Sequence, residues 1–401
     1  MIQKKKILGI CGVISPAPYA NAICLENIFK ELTCFGYECH ILGVGEERKD
    51  FEKDGINFHV VKMSVQKNPY LKRINTALHL SMLPQTEPEV TQIKYKRAKE
   101  LQEELKYDYV FGVCASYANI YATLLLKEDF PNIKIIGYYL DSIESLSRLS
   151  GLTRKIRDYF SYKGEKQVFH RLDGIVLPVS SSEIYGAKCY TEFREKTIYT
   201  EFPTFIPKES QKKSVNKEKT VINGMIVGTL NNTFRNPKAL FEAIRMVCDE
   251  DKQKLHIDVY GSNDESLFWP LSGSCFVSYK LHGWVPHQEI DEALARSDML
   301  INISNSGLLA VPSKIFEYFS AYKPILTQVS DENDSALPYY KKYSGSHLFY
   351  AFKEKSKQIE NLSEFLESIN QREVNVEEVN NAFMHNTPTY VANQIRTIME
   401  S

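Results

Sequence analysis

Apolar and polar positions alternate along the chain in a way that predicts strands followed by amphipathic helices. The apolar run from Lys6 to Val13 is typical of a buried strand, and residues 21–35 carry apolar side chains at the spacing of one helix face. Gly36 is expected to end that helix, and a second strand follows from Glu38 to Val44. The same succession continues through predicted strands at 58–63, 107–114, 134–140, 174–178, 221–227, 255–260 and 299–303, and predicted helices at 93–105, 288–296, 313–321 and 389–399. This pattern indicates an α/β fold with parallel sheets.

A polar stretch divides the pattern in two. Residues 203–219 contain two prolines and a segment rich in Lys, Gln and Asn, which is typical of a linker between domains. A second series of strands and helices begins directly after it. We therefore expect one Rossmann-like domain at residues 1–210 and another at 211–388.

Composition restricts the class of protein. The 401 residues carry a net charge of −1, which disfavours general nucleic-acid binding. The eight cysteines form no C-x-x-C pair and lie mostly in apolar runs, so we expect reduced core residues and no disulfide framework or zinc site. No apolar run approaches the ~20 residues of a membrane span. Residues 4–14 are similar to a short signal peptide, but the helix pattern that follows favours a first strand. These features predict a cytoplasmic protein.

The stretch from Asn305 to Leu326 combines the features of a ligand-binding turn. A strand leads into a glycine-containing loop, and a helix is predicted from Ser313, a good N-cap residue, to about Ala321. Ile315, Phe316 and Phe319 are expected to bury one side of this helix, while Lys314 and Glu317 lie on the other. In open α/β sheets, a loop at the carboxyl end of a strand that feeds a helix is where anionic ligands bind.

The motifs of the second half resemble those of a known enzyme family. P-S-K-I-F-E-Y-F-S-A-Y-K-P-I-L resembles the P-S-K-x-x-E-Y variant of bacterial retaining glycosyltransferases of group 1 (family 4). V-G-T-L…R-N-P-K-A-L, D-V-Y-G-S, L-H-G-W-V-P and A-R-S-D-M-L-I-N-I-S follow that family's order. The resemblance implies the GT-B fold, in which two Rossmann-like domains face an interdomain cleft. It also implies that the terminal helix, 389–401, packs back on the N-terminal domain.

The resemblance implies roles for ten residues. Arg235 and Lys314 would meet the diphosphate of a nucleotide-sugar donor, Glu317 would bind the ribose hydroxyls, and the backbone near Gly283 would contact the base. Gly12 and the loop after it would line the cleft on the acceptor side. The implied catalytic residues are Arg235, Lys314 and Asp141, and the implied ligand-binding residues are Gly12, Gly228, Thr229, Gly283, Gly307, Ser313 and Glu317.

Three positions depart from the family pattern. Thr229 stands where most relatives have an Arg, Leu309 where they have an acidic residue, and Leu140, directly before Asp141, where many have a His. These departures concern the sugar contacts and leave the fold unaffected. They keep open an altered donor or a protein with weakened catalysis.

The expected function is transfer of a sugar from a nucleotide donor, UDP- or GDP-linked, to a glycan, lipid-linked or protein acceptor. By resemblance, the transfer retains configuration and needs neither metal nor cofactor. Two alternatives remain: a GT-B sugar-nucleotide epimerase, and a non-catalytic sugar- or nucleotide-binding partner subunit. The stretch 151–173 is basic and aromatic, with Arg154, Lys155 and Arg157 near its start. It is either a solvated helix face or a surface that approaches the diphosphate of a lipid-linked acceptor or an anionic membrane, at the inner face of that membrane.

Overall fold

The computed structural model describes residues 4–15, 18–47, 49–62, 83–114, 116–141, 151–187, 190–207, 220–306 and 311–401. The chain forms two compact units. The first comprises Met1–Phe205 together with His385–Ser401, and the second comprises Ile206–Met384. The division falls inside the polar stretch 203–219 that the sequence marks as a linker.

The first unit is built on an eight-stranded sheet in the order β3-β4-β2-β1-β5-β6-β7-β8. All neighbouring strands are parallel except β3, which pairs antiparallel with β4. The strands are β1 Lys6–Val13, β2 Glu38–Gly45, β3 Phe51–Lys53, β4 Ile56–Lys62, β5 Tyr109–Cys114, β6 Lys134–Tyr139, β7 Gly174–Pro178 and β8 Thr197–Thr200.

The helices of the first unit bury apolar faces against this sheet. Strands β5 and β7 are buried along their whole length, as is typical of parallel strands that helices cover on both faces. The helices are α1 Ala20–Cys34, α2 Pro88–Leu105, α3 Tyr117–Asp129, α4 Gly151–Arg171, α5 Ser182–Ala187 and, from the end of the chain, α12 Pro388–Glu400. Helix α12 lies against α1. Tyr37, between α1 and β2, donates from its Oη to Glu400 Oε1 over 2.8 Å.

The second unit has a six-stranded, wholly parallel sheet in the order β11-β10-β9-β12-β13-β14. The strands are β9 Val221–Val227, β10 Lys254–Tyr260, β11 Val277–Gly283, β12 Met299–Ile303, β13 Ile325–Val329 and β14 Ser346–Tyr350. The helices are α6 Lys238–Glu250, α7 His287–Arg296, α8 Lys314–Phe319, α9 Leu337–Lys342, α10 Lys355–Glu367 and α11 Val376–Phe383. Short 3₁₀ turns lie at Val179–Ser181, Thr191–Lys196, Glu265–Leu271, Ile369–Gln371 and Met384–Asn386.

The predicted α/β architecture is confirmed, and the elements that the sequence predicts differ from the structure only at their ends. The sequence pattern does not predict several further elements, among them α3, α9, α10, β8 and β14. Helix α2 begins at Pro88, five residues before the predicted start at Ile93, because a proline is well tolerated in the first turn of a helix. Helix α8 is shorter than predicted and ends at Phe319, not Ala321. None of the helices in the described part of the chain has the length and hydropathy that a membrane crossing requires.

Candidate functional site

Three glycine turns lie side by side at one edge of the second unit's sheet. Strands β9, β10 and β11 are neighbours, and Gly228, Gly261 and Gly283 end or follow them. Their φ angles are +126°, +114° and +70°, which only glycine adopts without strain. The Gly228 N–H donates to Tyr260 O over 2.8 Å, and the Gly261 N–H donates to Gly283 O over 2.7 Å. The turns are therefore linked in series across the carboxyl ends of the strands.

The loop after Gly228 is held by two asparagine side chains. Asn263 Oδ1 accepts the Leu230 N–H over 2.6 Å, and its Nδ2 donates to Gly228 O over 3.1 Å and Gly261 O over 3.2 Å. Asn231 Oδ1 accepts backbone N–H groups of residues 233, 234 and 235. The loop thus has a defined backbone, although it contains no regular secondary structure.

Arg235 is held by backbone carbonyl groups at both sides of this loop. Its Nε donates to Ile303 O at the end of β12 over 3.1 Å, and one terminal nitrogen lies 3.4 Å from Thr229 O. The side chain is half-buried. These contacts use two of the five donors of the guanidinium. In the described part of the chain, the other donors have no partner, so they can bind an anionic ligand beside the glycine turns.

Helix α6 is capped by side chains at its first turn. Asn236 Oδ1 accepts the Lys238 N–H over 3.0 Å, although Asn236 lies one residue before the N-cap, Pro237. Gln328, buried on β13, accepts the Leu240 N–H over 3.0 Å and donates to Asn236 O over 2.7 Å. Two of the N–H groups that a helix start offers to an anion are therefore already satisfied within the protein.

Helix α8 presents Lys314 and Glu317 and buries the predicted apolar side. Ile315, Phe316 and Phe319 are all buried. Lys314 is exposed and Glu317 is half-buried. Desolvation by neighbouring protein atoms lowers the pKa of Lys314, the charge of Arg235 lowers that pKa further, and the charge of Glu317 raises it. The charges of both Glu317 and Arg235 thus act on Lys314.

Ser313 occupies the N-cap position of α8 but does not make the predicted capping hydrogen bond. Its φ and ψ of −57° and −25° are already helical, whereas a capping side chain needs an extended backbone to reach the following N–H groups. The prediction of a hydroxyl cap at Ser313 is therefore wrong, although the position is right. Gly307, and Leu309 at the departure from the family pattern, lie outside the described residues.

Gly12 and Asp141 belong to the first unit, each at the carboxyl end of a strand. A Cβ on Gly12 would lie 3.1 Å from Asn21 Nδ2, a buried amide nitrogen that has no hydrogen-bond partner among the described residues. Asp141 follows β6 directly after Leu140, and burial raises the pKa of its carboxyl group. A carboxyl group in this state can be protonated close to neutral pH more readily than an exposed one.

A buried lysine supports the end of β1 beneath Gly12. Lys94 Nζ donates to Cys11 O and to Asn119 Oδ1, both over 2.6 Å. Complete burial lowers the pKa of Lys94 to about 8. Nothing in the sequence distinguishes this residue, because a Lys within the charged helix 93–105 has the pattern of a solvated side chain.

The second unit therefore joins two cations and one carboxylate to a glycine-rich backbone. Arg235 and Lys314 can bind a diphosphate, and Glu317 can accept hydrogen bonds from hydroxyl groups. No group of three or more His, Cys, Asp or Glu side chains placed to hold a metal ion occurs in the described part of the chain.

Solved structures show where this architecture occurs. The lipopolysaccharide outer core galactosyltransferase WaaB in its apo form aligns over 98% of this chain and 99% of its own, with a TM-score of 0.55 and 12% identity. A trehalose-6-phosphate protein from E. coli bound with UDP-2-fluoro glucose aligns over 99% and 97%, with a TM-score of 0.59 and 12% identity. The chain has the GT-B fold.

The same fold also includes an epimerase. A UDP-N-acetylglucosamine 2-epimerase from Listeria monocytogenes, described as putative, aligns over 100% of this chain and 97% of its own, with a TM-score of 0.56 and 12% identity. No protein-family model matches the chain, and no curated protein matches it at a significant level. The GT-B prediction is confirmed at the level of fold, while the group 1 (family 4) assignment stays a prediction.

Proposed function

We propose that the protein is a glycosyltransferase that moves a sugar from a UDP- or GDP-linked donor to a glycan, lipid-linked or protein acceptor. One observation carries the proposal: in a GT-B fold, Arg235 lies beside the glycine turn that follows β9, and the helix that carries Lys314 and Glu317 is bonded to the end of the same strand through Tyr318. That edge of an open α/β sheet is where ligands bind. The charges suit a nucleoside diphosphate, which is anionic at one end and carries ribose hydroxyl groups at the other.

The chemistry assigned to the second unit is stabilisation of the leaving group. When the bond between sugar and diphosphate breaks, negative charge grows on the diphosphate oxygens. Arg235 and Lys314 stabilise this charge more strongly in the transition state than in the ground state, which raises the turnover rate. Glu317 accepts hydrogen bonds from the ribose, and the backbone at Gly283 contacts the base.

The two helix starts are weaker candidates for binding the diphosphate than the nearby side chains and the Thr229 N–H. The start of α6 has two of its N–H groups occupied by Asn236 and Gln328. Helix α8 is only six residues long, so its dipole contributes little. The Thr229 N–H has no acceptor among the described residues, and Thr229 is exposed. We therefore assign the diphosphate to Arg235, Lys314 and the Thr229 N–H, with no metal ion in the proposed mechanism.

The first unit is assigned to the acceptor and the transferred sugar. Gly12 packs closely on Asn21, whose amide nitrogen is a buried donor without a partner among the described residues. Asp141, with its raised pKa, can donate or accept a hydrogen bond at a sugar hydroxyl. Retention of anomeric configuration is part of the proposal and rests on the resemblance to group 1 (family 4) enzymes.

An epimerase is the second candidate, favoured by the similarity to the Listeria structure. An epimerase converts a nucleotide sugar into its epimer with proton transfer at a sugar carbon, which needs acidic or basic side chains in the site. A non-catalytic partner subunit is the third candidate, since Leu140 and Thr229 replace residues that contact the donor in relatives.

The test is a screen of nucleotide sugars against the whole chain. Thermal shift identifies the bound donor, because a ligand at a hundred times its dissociation constant stabilises by about 2.7 kcal/mol. The product is then identified with that donor. A glycosyltransferase releases nucleoside diphosphate and passes the sugar to an acceptor or water. An epimerase yields an epimeric nucleotide sugar, and a binding subunit yields no product.

We also propose that the protein acts in the cytoplasm, where α4 brings it to the inner face of the membrane. Lys155, Ile156, Tyr159 and Lys163 on α4 are exposed, and a cationic face with apolar side chains suits an anionic lipid surface. Other basic residues of the stretch contribute less, because Lys166 pairs with Glu192 and Arg171 with Glu128. Three further basic residues, Lys67, Lys72 and Arg73, lie outside the described residues, as does the side chain of Arg154.

A further inference from the structure

The side chain of Asn263 forms hydrogen bonds with the backbone of two adjacent glycine turns. Its Oδ1 accepts from Leu230, and its Nδ2 donates to the carbonyl oxygens of Gly228 and Gly261. The turns themselves are in close contact, since a Cβ on Gly261 would lie 2.9 Å from Gly228 O. Asn263 therefore fixes the path of the backbone through residues 228–230.

This arrangement leaves one backbone donor of the turn available. The Gly228 N–H is bonded to Tyr260 O, the Leu230 N–H to Asn263, and the Asn231 N–H to Arg235 O over 3.1 Å. Between them, the Thr229 N–H has no acceptor in the part of the chain that the structure describes. A terminal nitrogen of Arg235 donates to Thr229 O over 3.4 Å, so the free amide and the guanidinium belong to one peptide loop.

We propose that Asn263 is a positioning residue for the diphosphate. It holds the turn in the conformation in which the Thr229 N–H and the Arg235 guanidinium donate to the same phosphate group. The inference rests on the proposed function and deepens it: the ligand recognised through Asn263 is the diphosphate portion, independent of base and sugar. Among the described residues, the hydrogen bonds of the Asn263 side chain all go to backbone groups. Loss of the Asn263 side chain allows the peptide units of the turn to rotate, but no phosphate contact is lost directly.

The test uses Asn263→Ala and Asn263→Asp in the whole chain, with Asn223→Ala as the matched control. Asn223 is also half-buried in the second unit, and its Nδ2 donates to Asp298 over 3.2 Å at the opposite end of β9. Calorimetry with UDP, GDP, inorganic pyrophosphate, uridine and guanosine separates phosphate binding from base and ribose binding. Thermal melting shows that each variant is folded.

We expect both Asn263 variants to bind UDP or GDP, whichever the wild type prefers, and pyrophosphate about tenfold more weakly, the effect of losing one aligned hydrogen bond. Binding of the matching nucleoside should stay at the wild-type level, and Asn223→Ala should match the wild type throughout. In hydrogen exchange, the Leu230 amide should exchange faster in Asn263→Ala than in the wild type or the control.

Two results would overturn the inference while the proposed function stands. One is wild-type affinity for the diphosphate in Asn263→Ala. The other is an equal loss for diphosphate and nucleoside, which means a general loss of structure. If the wild-type protein binds no nucleoside diphosphate and no pyrophosphate, the proposed function fails and the inference fails with it.

Discussion

The hydroxyl of Tyr318 bonds both backbone groups of Val227, since it accepts from the Val227 N–H over 2.7 Å and donates to the Val227 carbonyl oxygen over 3.0 Å. Val227 is the last residue of β9, directly before Gly228. Tyr318 lies on α8 between Glu317 and the buried Phe319. The two motifs that form the candidate site are thus joined by one side chain, and burial raises the pKa of that hydroxyl to about 12.

Replacing Tyr318 with Phe should destabilise the second unit by about 1–3 kcal/mol, because two buried backbone groups lose their partner while the ring remains. Chemical denaturation followed by a probe in the second unit measures this change. Tyr279→Phe is the control, since the Tyr279 hydroxyl has no hydrogen bond among the described residues, and its effect should be about 0.5 kcal/mol or less. Equal stability of the two variants would contradict the role of Tyr318.

Glu317→Ala should weaken the binding of donor and free nucleoside diphosphate alike, because it removes charge-assisted hydrogen bonds to the ribose. The expected loss is about 1.5–3 kcal/mol, or roughly 10- to 150-fold in affinity by calorimetry. Glu360→Ala, an exposed carboxylate on α10, serves as the control and should bind as the wild type does. Unchanged affinity in Glu317→Ala would remove Glu317 from the site.

The second unit should become less stable as the solution is acidified, because His347 is buried in its neutral form. Burial, with a smaller effect from Arg372, lowers the pKa of His347 from 6.5 to about 4. Between these values the unfolded chain binds a proton that the folded chain does not. The stabilisation is therefore complete above pH ~6.5 and is lost as the pH falls towards ~4, by up to about 3 kcal/mol.

The direct check on His347 is its ring-proton titration by NMR, with thermal melting as the second readout. His347→Gln should flatten the decline in melting temperature between these pH values, whereas His385→Gln, which changes an exposed histidine, should leave it unchanged. If the ring titrates near pH 6.5 in the folded protein, burial does not determine the pKa of His347.

Binding to acidic vesicles should depend on the exposed face of α4. Wild-type protein should bind phosphatidylserine-containing vesicles at low salt and dissociate as salt rises. Lys155→Gln with Lys163→Gln should weaken the binding, whereas Lys341→Gln with Lys342→Gln on α9 is the matched control and should not. If the wild-type protein does not bind at low salt, the face of α4 is simply solvated.

The sequence predicts the parts of the fold that depend on local pattern. The apolar spacing of Ile315, Phe316 and Phe319 identifies the buried side of α8, because burial on a helix repeats with the helix period. The hydroxyl cap at Ser313 is not predictable in this way, since it depends on the φ and ψ that the preceding loop imposes.

The residues that sequence reasoning missed act between distant parts of the chain. Asn263 and Gln328 are polar residues without a recognisable motif, and each bonds backbone groups that lie far away in sequence, as Gln328 does at Leu240. Periodicity and caps give no signal for such contacts. An Asn placed two residues after Gly261, in D-V-Y-G-S-N, is the single local hint, because Asn favours turns.

The most direct test of the central claim is the rate of nucleoside diphosphate release from the bound nucleotide sugar, measured in excess EDTA for wild type, Arg235→Ala and Lys314→Ala. The two cations offset charge that develops on the leaving group, so each variant should lose turnover, roughly 10²-fold or more, by a larger factor than it loses donor affinity. Wild-type turnover should be unaffected by the chelator. Turnover that EDTA abolishes and magnesium or manganese restores, or variants that turn over donor at the wild-type rate, would contradict the proposed site.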